Sequence, residues 1–224
     1  MRKLLLAGVG ATALLFGAAE AGATPSPLEL AEPIAQYKLY VIDEVGVLLK
    51  ETTAFADAIK AGDLAKAKEL YGPSRVSYER IEPLAELFSD LDGAIDSRAD
   101  DHEQAEKDPG FTGFHRLEYG LFIGNSTEGL APIADKLVAD VTELQKRIKD
   151  LTTPPDKVVG GAAALIEEVA ASKISGEEDR YARTDLYDFQ ANVDGAQKIV
   201  ELLKPLLEKE SPDLLKKIEA NFAE

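Results

Sequence analysis

Hydrophobic positions recur at steps of three and four from Ile34 to Ile59, through Tyr37, Val41, Val45, Leu48 and Phe55, with Thr52 the one polar member of the series. A stripe sustained over about seven turns lies along one face of a single long helix, and only neighbours of similar length can cover it. Ala61-Gly62 marks its end, and Asp63 is placed to cap a second helix from Leu64 to Tyr71. Gly72-Pro73 predicts a break or kink, followed by a helix from about Ser74 to Phe88 that Pro83 bends just after Glu82.

The remainder continues in the same style. Ser89 to Gly110 is acidic and reads as a short helical turn and a loop. A helix around His115 stops near Gly124-Asn125. Ile133, Leu137, Val141, Leu144, Ile148 and Leu151 mark another long helix, closed by Thr152-Thr153-Pro154-Pro155. Helices follow over Asp156 to Lys173, Asp185 to Leu207 and Pro212 to Phe222. No segment alternates in the manner of a strand bounded by turns. The fold class is all-α, an antiparallel helical bundle open to division into two pseudo-related four-helix halves.

The first 23 residues have the pattern of a cleavable signal peptide: Arg2 and Lys3, an apolar run from Leu4 to Gly17 too short to span a bilayer comfortably, and the A-x-A site Ala21-Gly22-Ala23. Residues 24–33, with three prolines, read as an extended lead-in, and 34–224 as the bundle domain. The leader contributes Arg2, Lys3 and Glu20, a net +1, so the remainder carries −17 where the whole chain carries −16. Such acidity excludes nucleic acid as a partner, since phosphates would be repelled rather than neutralised, and makes cations the natural ligands. With no cysteine, neither a lipid anchor nor a disulfide is available. The expected destination is the periplasm, as a soluble, unlipidated protein.

Phe111 to Phe122, F-T-G-F-H-R-L-E-Y-G-L-F, places His115 and Glu118 three apart, on one face of a helix. Glu79 and Glu82 repeat the spacing in Y-E-R-I-E-P. Two such pairs facing each other across a bundle can hold a metal ion. The plainer alternatives are a histidine packed on Phe114 that donates to a helix carbonyl, and a solvated acidic face whose carboxylates make weak surface pairs with Arg75 and Arg80. A third acidic cluster, Ile174 to Gly195, gathers Glu177, Glu178, Asp179, Asp185, Asp188 and Asp194, with Asp185 suited to capping the helix that follows.

Y-E-R-I-E-P, D-L-D-G-A-I-D, G-F-H-R-L-E-Y-G-L-F, and S-G-E-E-D-R-Y through D-F-Q-A-N-V-D-G-A-Q together resemble the imelysin-like family, including its EfeO/EfeM-type iron-uptake components, in the short form without a leading cupredoxin-like domain. The resemblance places the H-x-x-E motif on His115 and Glu118 and its acidic partners on Glu79, Glu82, Asp96 and Glu178. It implies a periplasmic helical bundle that binds a metal ion, iron foremost, and hands it to a membrane permease of the same uptake system.

One imidazole among carboxylates is a hard, oxygen-rich set that suits iron, manganese, zinc or calcium and cannot serve Cu(I), because Met1 is the only sulfur in the chain. Two further functions remain open at this point. One is binding of an acidic polysaccharide such as alginate through bridging cations. The other is a metallopeptidase, implied by the imelysin name, with Glu79 or Glu82 as general base.

Overall fold

The computed structural model describes residues 27–171 and 173–223; the leader lies outside that range. Among the described residues there are eight α-helices and no strand: α1 (Pro27–Lys60), α2 (Leu64–Ala85), α3 (Ser89–Ile95), α4 (Gly113–Glu118), α5 (Ala131–Asp150), α6 (Pro155–Ala171), α7 (Leu186–Glu210) and α8 (Pro212–Phe222). The expected all-α bundle is what forms. The α1 stripe is the spine of its core: Tyr37, Val41, Val45, Leu48 and Phe55 are fully buried, and so is Thr52.

Helix α2 is central. It packs on α1 on one side and on α7 and α6 on the other, while α5 closes against α1. Any division into halves therefore shares α2. Asp63 caps α2 as its spacing predicts, its Oδ1 accepting from the Lys66 amide at 3.0 Å. At Gly195, α7 approaches α2 so closely that a Cβ there would lie 2.6 Å from the Arg80 carbonyl oxygen.

Two proline-based expectations are corrected. Of residues 24–33, expected to be extended, 24–26 lie outside the described range, and α1 begins at Pro27 and runs through Pro33. Pro33 forfeits one ladder bond, but Leu30 and Ile34 pack against the core and Lys209 Nζ reaches Glu29 Oε1 at 2.7 Å, which holds the first turns in place. Nor does Gly72-Pro73 break α2, which is continuous through Pro73 and Pro83. The Tyr187 ring and Thr184 press on Gly72 where a side chain would sit, and Ser74 Oγ donates to the Tyr71 carbonyl at 2.8 Å. Tertiary packing overrides the local preference.

Candidate metal centre

Four stretches of chain converge beside α2. On α2 itself Tyr71, Arg75 and Glu79 recur every four residues and share its inward face, all fully buried. Asp96 lies at the C-terminal end of α3. Helix α4 begins immediately against that end. Gly113 sits at φ +76°, and a Cβ on it would meet the Ile95 carbonyl oxygen at 2.2 Å, so only glycine permits both the left-handed turn and the contact. Thr112 Oγ1 donates to the Ala94 carbonyl at 3.0 Å and ties the same junction. Phe114 then stacks on Phe55 in the core, which turns His115 toward Asp96. After α4 the chain widens into a π-helical turn over Tyr119–Ile123. The fourth stretch is the loop from Gly176 into α7, which carries Glu178, Asp179, Asp188 and Asn192, every one buried.

Arg75 stands at the middle, with none of its side chain exposed. Its Nη1 donates to Asp96 Oδ1 at 2.6 Å and lies 3.3 Å from His115 Nε2. Its Nη2 donates to Glu79 Oε1 at 2.7 Å and Glu178 Oε1 at 2.6 Å. Its Nε donates to Asp188 Oδ1 at 3.2 Å and lies 3.5 Å from Asp179 Oδ1. The alternative of a weak surface pairing between Arg75 and Glu79 is thus overturned: the guanidinium is a buried hub, possible because its fork of donors meets a carboxylate on every side.

The two nitrogens of His115 face different company. Nδ1 lies 3.2 Å from Glu118 Oε2 and 3.4 Å from the Tyr71 hydroxyl. Nε2 faces Asp96 Oδ1 at 3.6 Å and Glu178 Oε1 at 3.5 Å. The other oxygen of Glu118, Oε1, accepts the backbone N–H groups of Tyr181 and Ala182, each at 2.7 Å. In each of two groups, Asp96–His115–Glu178 and His115–Glu118–Asp179, the potential ligand atoms all lie within 4.8 Å of one another.

Burial pushes Asp96 up to about 6 against the pull of Arg75, and it drives Asp188 well above the ordinary carboxylate range. Asp179 is likewise penalised by burial, yet Arg75 and the Thr184 hydroxyl hold it below its usual value. For His115, burial and then Arg75 work against the charged ring, but Glu118, Glu178 and Asp96 outweigh them and raise it to about 9. Six acidic side chains (Glu79, Asp96, Glu118, Glu178, Asp179 and Asp188) thus surround one arginine and one histidine. Two buried acceptors in the cage, Asp188 Oδ2 and the amide oxygen Asn192 Oδ1, have no hydrogen-bond partner.

Of the six residues singled out from sequence, Glu79, Asp96, His115, Glu118 and Glu178 meet in this cage. Glu82 is half-buried at its mouth, accepting from Asn192 Nδ2 at 3.1 Å. The mouth is an open cleft of about 380 Å³ lined by Glu82, Glu86, Asp92, Asp96, Arg98 and Glu178, among others. Arg98 Nη1 donates to Glu178 Oε2 at 2.8 Å there. Sequence reasoning missed Arg75, Tyr71 and Asn192 as members, and it named Asp179 and Asp188 only within the third acidic cluster. The four-residue repeat on α2 and the i, i+4 pair on α7 were the available signals. Asp185 stands at the N-cap position of α7 as expected, but its carboxylate accepts the Asp179 amide at 3.1 Å and makes no capping bond to the helix.

Residues 33–224 match the family model described as Imelysin. The chain is 66% identical over 203 residues to "Iron uptake system component EfeO" of Yersinia pseudotuberculosis, across 91% of this chain and 54% of that protein. It is 63% identical over 204 residues to the EfeO component of Escherichia coli, with the same coverage of 91% and 54%. To "Iron uptake system component EfeM" of Pseudomonas syringae it is 56% identical over 223 residues, across 100% of this chain and 78% of that protein. The chain spans about half the length of the EfeO relatives. With the family model matched from Pro33, within α1, to the last residue, this chain belongs to the imelysin family.

Proposed function

We propose that this chain binds an iron ion as cargo in the buried acidic cage and passes it to a membrane permease of the same uptake system, acting in the periplasm after removal of residues 1–23. The observation that carries this reading is the convergence of Asp96 Oδ1, His115 Nε2 and Glu178 Oε1. The imidazole nitrogen lies 3.6 Å from the first oxygen and 3.5 Å from the second, a spacing that lets one ion reach all three at about 2.0–2.5 Å. Relatives named as iron uptake components support iron over zinc, manganese or calcium.

Glu79 completes the ligand set from within the cage and Glu82 from its mouth. Glu118 serves differently. With one oxygen on His115 Nδ1 and the other on two backbone amides, it orients the ring so that Nε2 faces the ion. The excess of carboxylates favours a cation, and the acidic cleft draws one inward.

The same charge opposes direct binding of a uronate polysaccharide at this cleft. Peptide hydrolysis would need a carboxylate free to take a proton from bound water, whereas Glu79 is held by Arg75 and by Asn192 Nδ2, and Glu82 accepts from Asn192 Nδ2 as well. Binding without catalysis is therefore the preferred reading.

Calorimetric titration of the metal-stripped protein with Fe²⁺ under anaerobic conditions, and with Mn²⁺, tests this. One saturable site is expected, weakened by more than about 100-fold in His115→Ala and Glu178→Gln. Binding that is weak and equal in all three proteins would sink the proposal.

A further inference from the structure

The three atoms best placed to hold the ion are already taken. Arg75 Nη1 bonds Asp96 Oδ1 at 2.6 Å and lies 3.3 Å from His115 Nε2, while Nη2 bonds Glu178 Oε1 at 2.6 Å. An ion within bonding distance of all three atoms would fall where the guanidinium edge now sits. Both cations cannot occupy that space.

A second observation says where the guanidinium can go. Asp188 Oδ2 and Asn192 Oδ1 are buried acceptors without a partner, one turn apart on α7. Arg75 Nε already touches Asp188 through its other oxygen, at 3.2 Å. With Nε held on Asp188, rotation about the outer bonds of the side chain would carry the Nη groups off Asp96 and Glu178 toward the α7 wall that bears these oxygens. The metal-free cage thus offers two buried acceptors to the group that the ion displaces.

We infer that Arg75 is an internal competitor for the cargo: a tethered cation that fills the ligand atoms in the metal-free protein and moves onto Asp188 and Asn192 when the ion enters. This rests on the metal site proposed above. The tethered guanidinium keeps the carboxylates of an empty cage from repelling one another, and it scales the apparent affinity down to the fraction of time the ligand atoms are free of it. A carrier that must surrender its ion gains from such a competitor, because the departing ion is replaced without water having to solvate the cage.

The test is Mn²⁺ binding and Mn²⁺-dependent thermal stability of the wild type, Arg75→Met and Arg75→Lys. Arg75→Met is expected to be less stable without metal, to gain more in Tm from Mn²⁺ than the wild type, and to bind it about tenfold more tightly or better. Arg75→Lys, whose single ammonium cannot hold three ligand atoms together, is expected to fall between the two. If Arg75→Met binds Mn²⁺ no more tightly than the wild type, Arg75 is a scaffold and the inference is overturned. Should that variant fail to fold alone, refolding in Mn²⁺ becomes the readout: rescue supports the competitor role, and failure with metal present refutes it. A wild type that does not bind Mn²⁺ or Fe²⁺ would instead overturn the metal site itself.

Discussion

Replacing Glu118 with alanine tests how much of the loop into α7 this one carboxylate holds in place. The substitution strips the acceptor from two backbone N–H groups, Tyr181 and Ala182, each 2.7 Å from Oε1, and removes the partner of His115 Nδ1. Each amide left unsatisfied costs about 1–3 kcal/mol, and the loop is partly exposed, so water recovers some of that. The expected loss is about 3–5 kcal/mol, which for a domain of this size lowers Tm by roughly 6–20 °C. Glu118→Gln keeps a carbonyl oxygen for the amides, so it is expected to cost only about 1–2 kcal/mol. Urea denaturation gives the two values, with an unchanged slope required for the comparison. Amide hydrogen exchange at Tyr181 and Ala182 reads the same bonds directly and should accelerate in Glu118→Ala only. If Glu118→Ala lies within about 1 kcal/mol of the wild type with those amides still protected, the loop is held by something else and the reasoning fails.

Gly113→Ala places a Cβ 2.2 Å from the Ile95 carbonyl oxygen at φ +76° and is expected to cost about 2–4 kcal/mol, measured as a fall in thermal midpoint; a neutral outcome would mean that α3 and α4 can part freely. In the metal-free protein the charged His115 ring contributes stability that is fully present below about 6.5 and is lost as pH rises toward about 9, since its folded value exceeds its unfolded one. Metal needs the neutral ring, so over the same window the Tm of the stripped protein is expected to fall while the Tm gained from Mn²⁺ grows; a gain that stays flat with pH would count against His115 as a ligand. Arg98→Ala removes a positive charge from the acidic mouth and is expected to speed Mn²⁺ association a few-fold at low salt, the difference vanishing near 1 M salt in stopped-flow measurements.

Periodicity made most of the bundle legible in the sequence. The stripe from Ile34 to Ile59 is the buried face of α1, and Pro212 to Phe222 is α8 residue for residue. Proline misled twice, at Pro33 and at Gly72-Pro73. A missing N–H is visible in the sequence, whereas the Tyr187 ring that packs against the helix at that point belongs to a residue more than a hundred positions away. The site divides along similar lines. His115, Glu118 and Glu79 stand out by spacing, and Asp96 and Glu178 through family resemblance. Arg75 looked like a partner for surface pairs because local sequence carries charge but not burial. Asp188 and Asn192 depend on the angle at which α7 meets α2, which no local pattern encodes.

That meeting of helices also bears on how this site can vary. Because Gly195 rests directly on the Arg80 carbonyl, the separation of α2 from α7 is fixed by main chain against main chain, with no side chain between them to trade for a larger or smaller one. The wall bearing Arg75 and Glu79 and the wall bearing Asp188 and Asn192 are held at a set gauge. A change of preferred ion then has to come from exchanging the side chains that span the gap, and a bulkier residue at Gly195 would spread every contact across the cage at once.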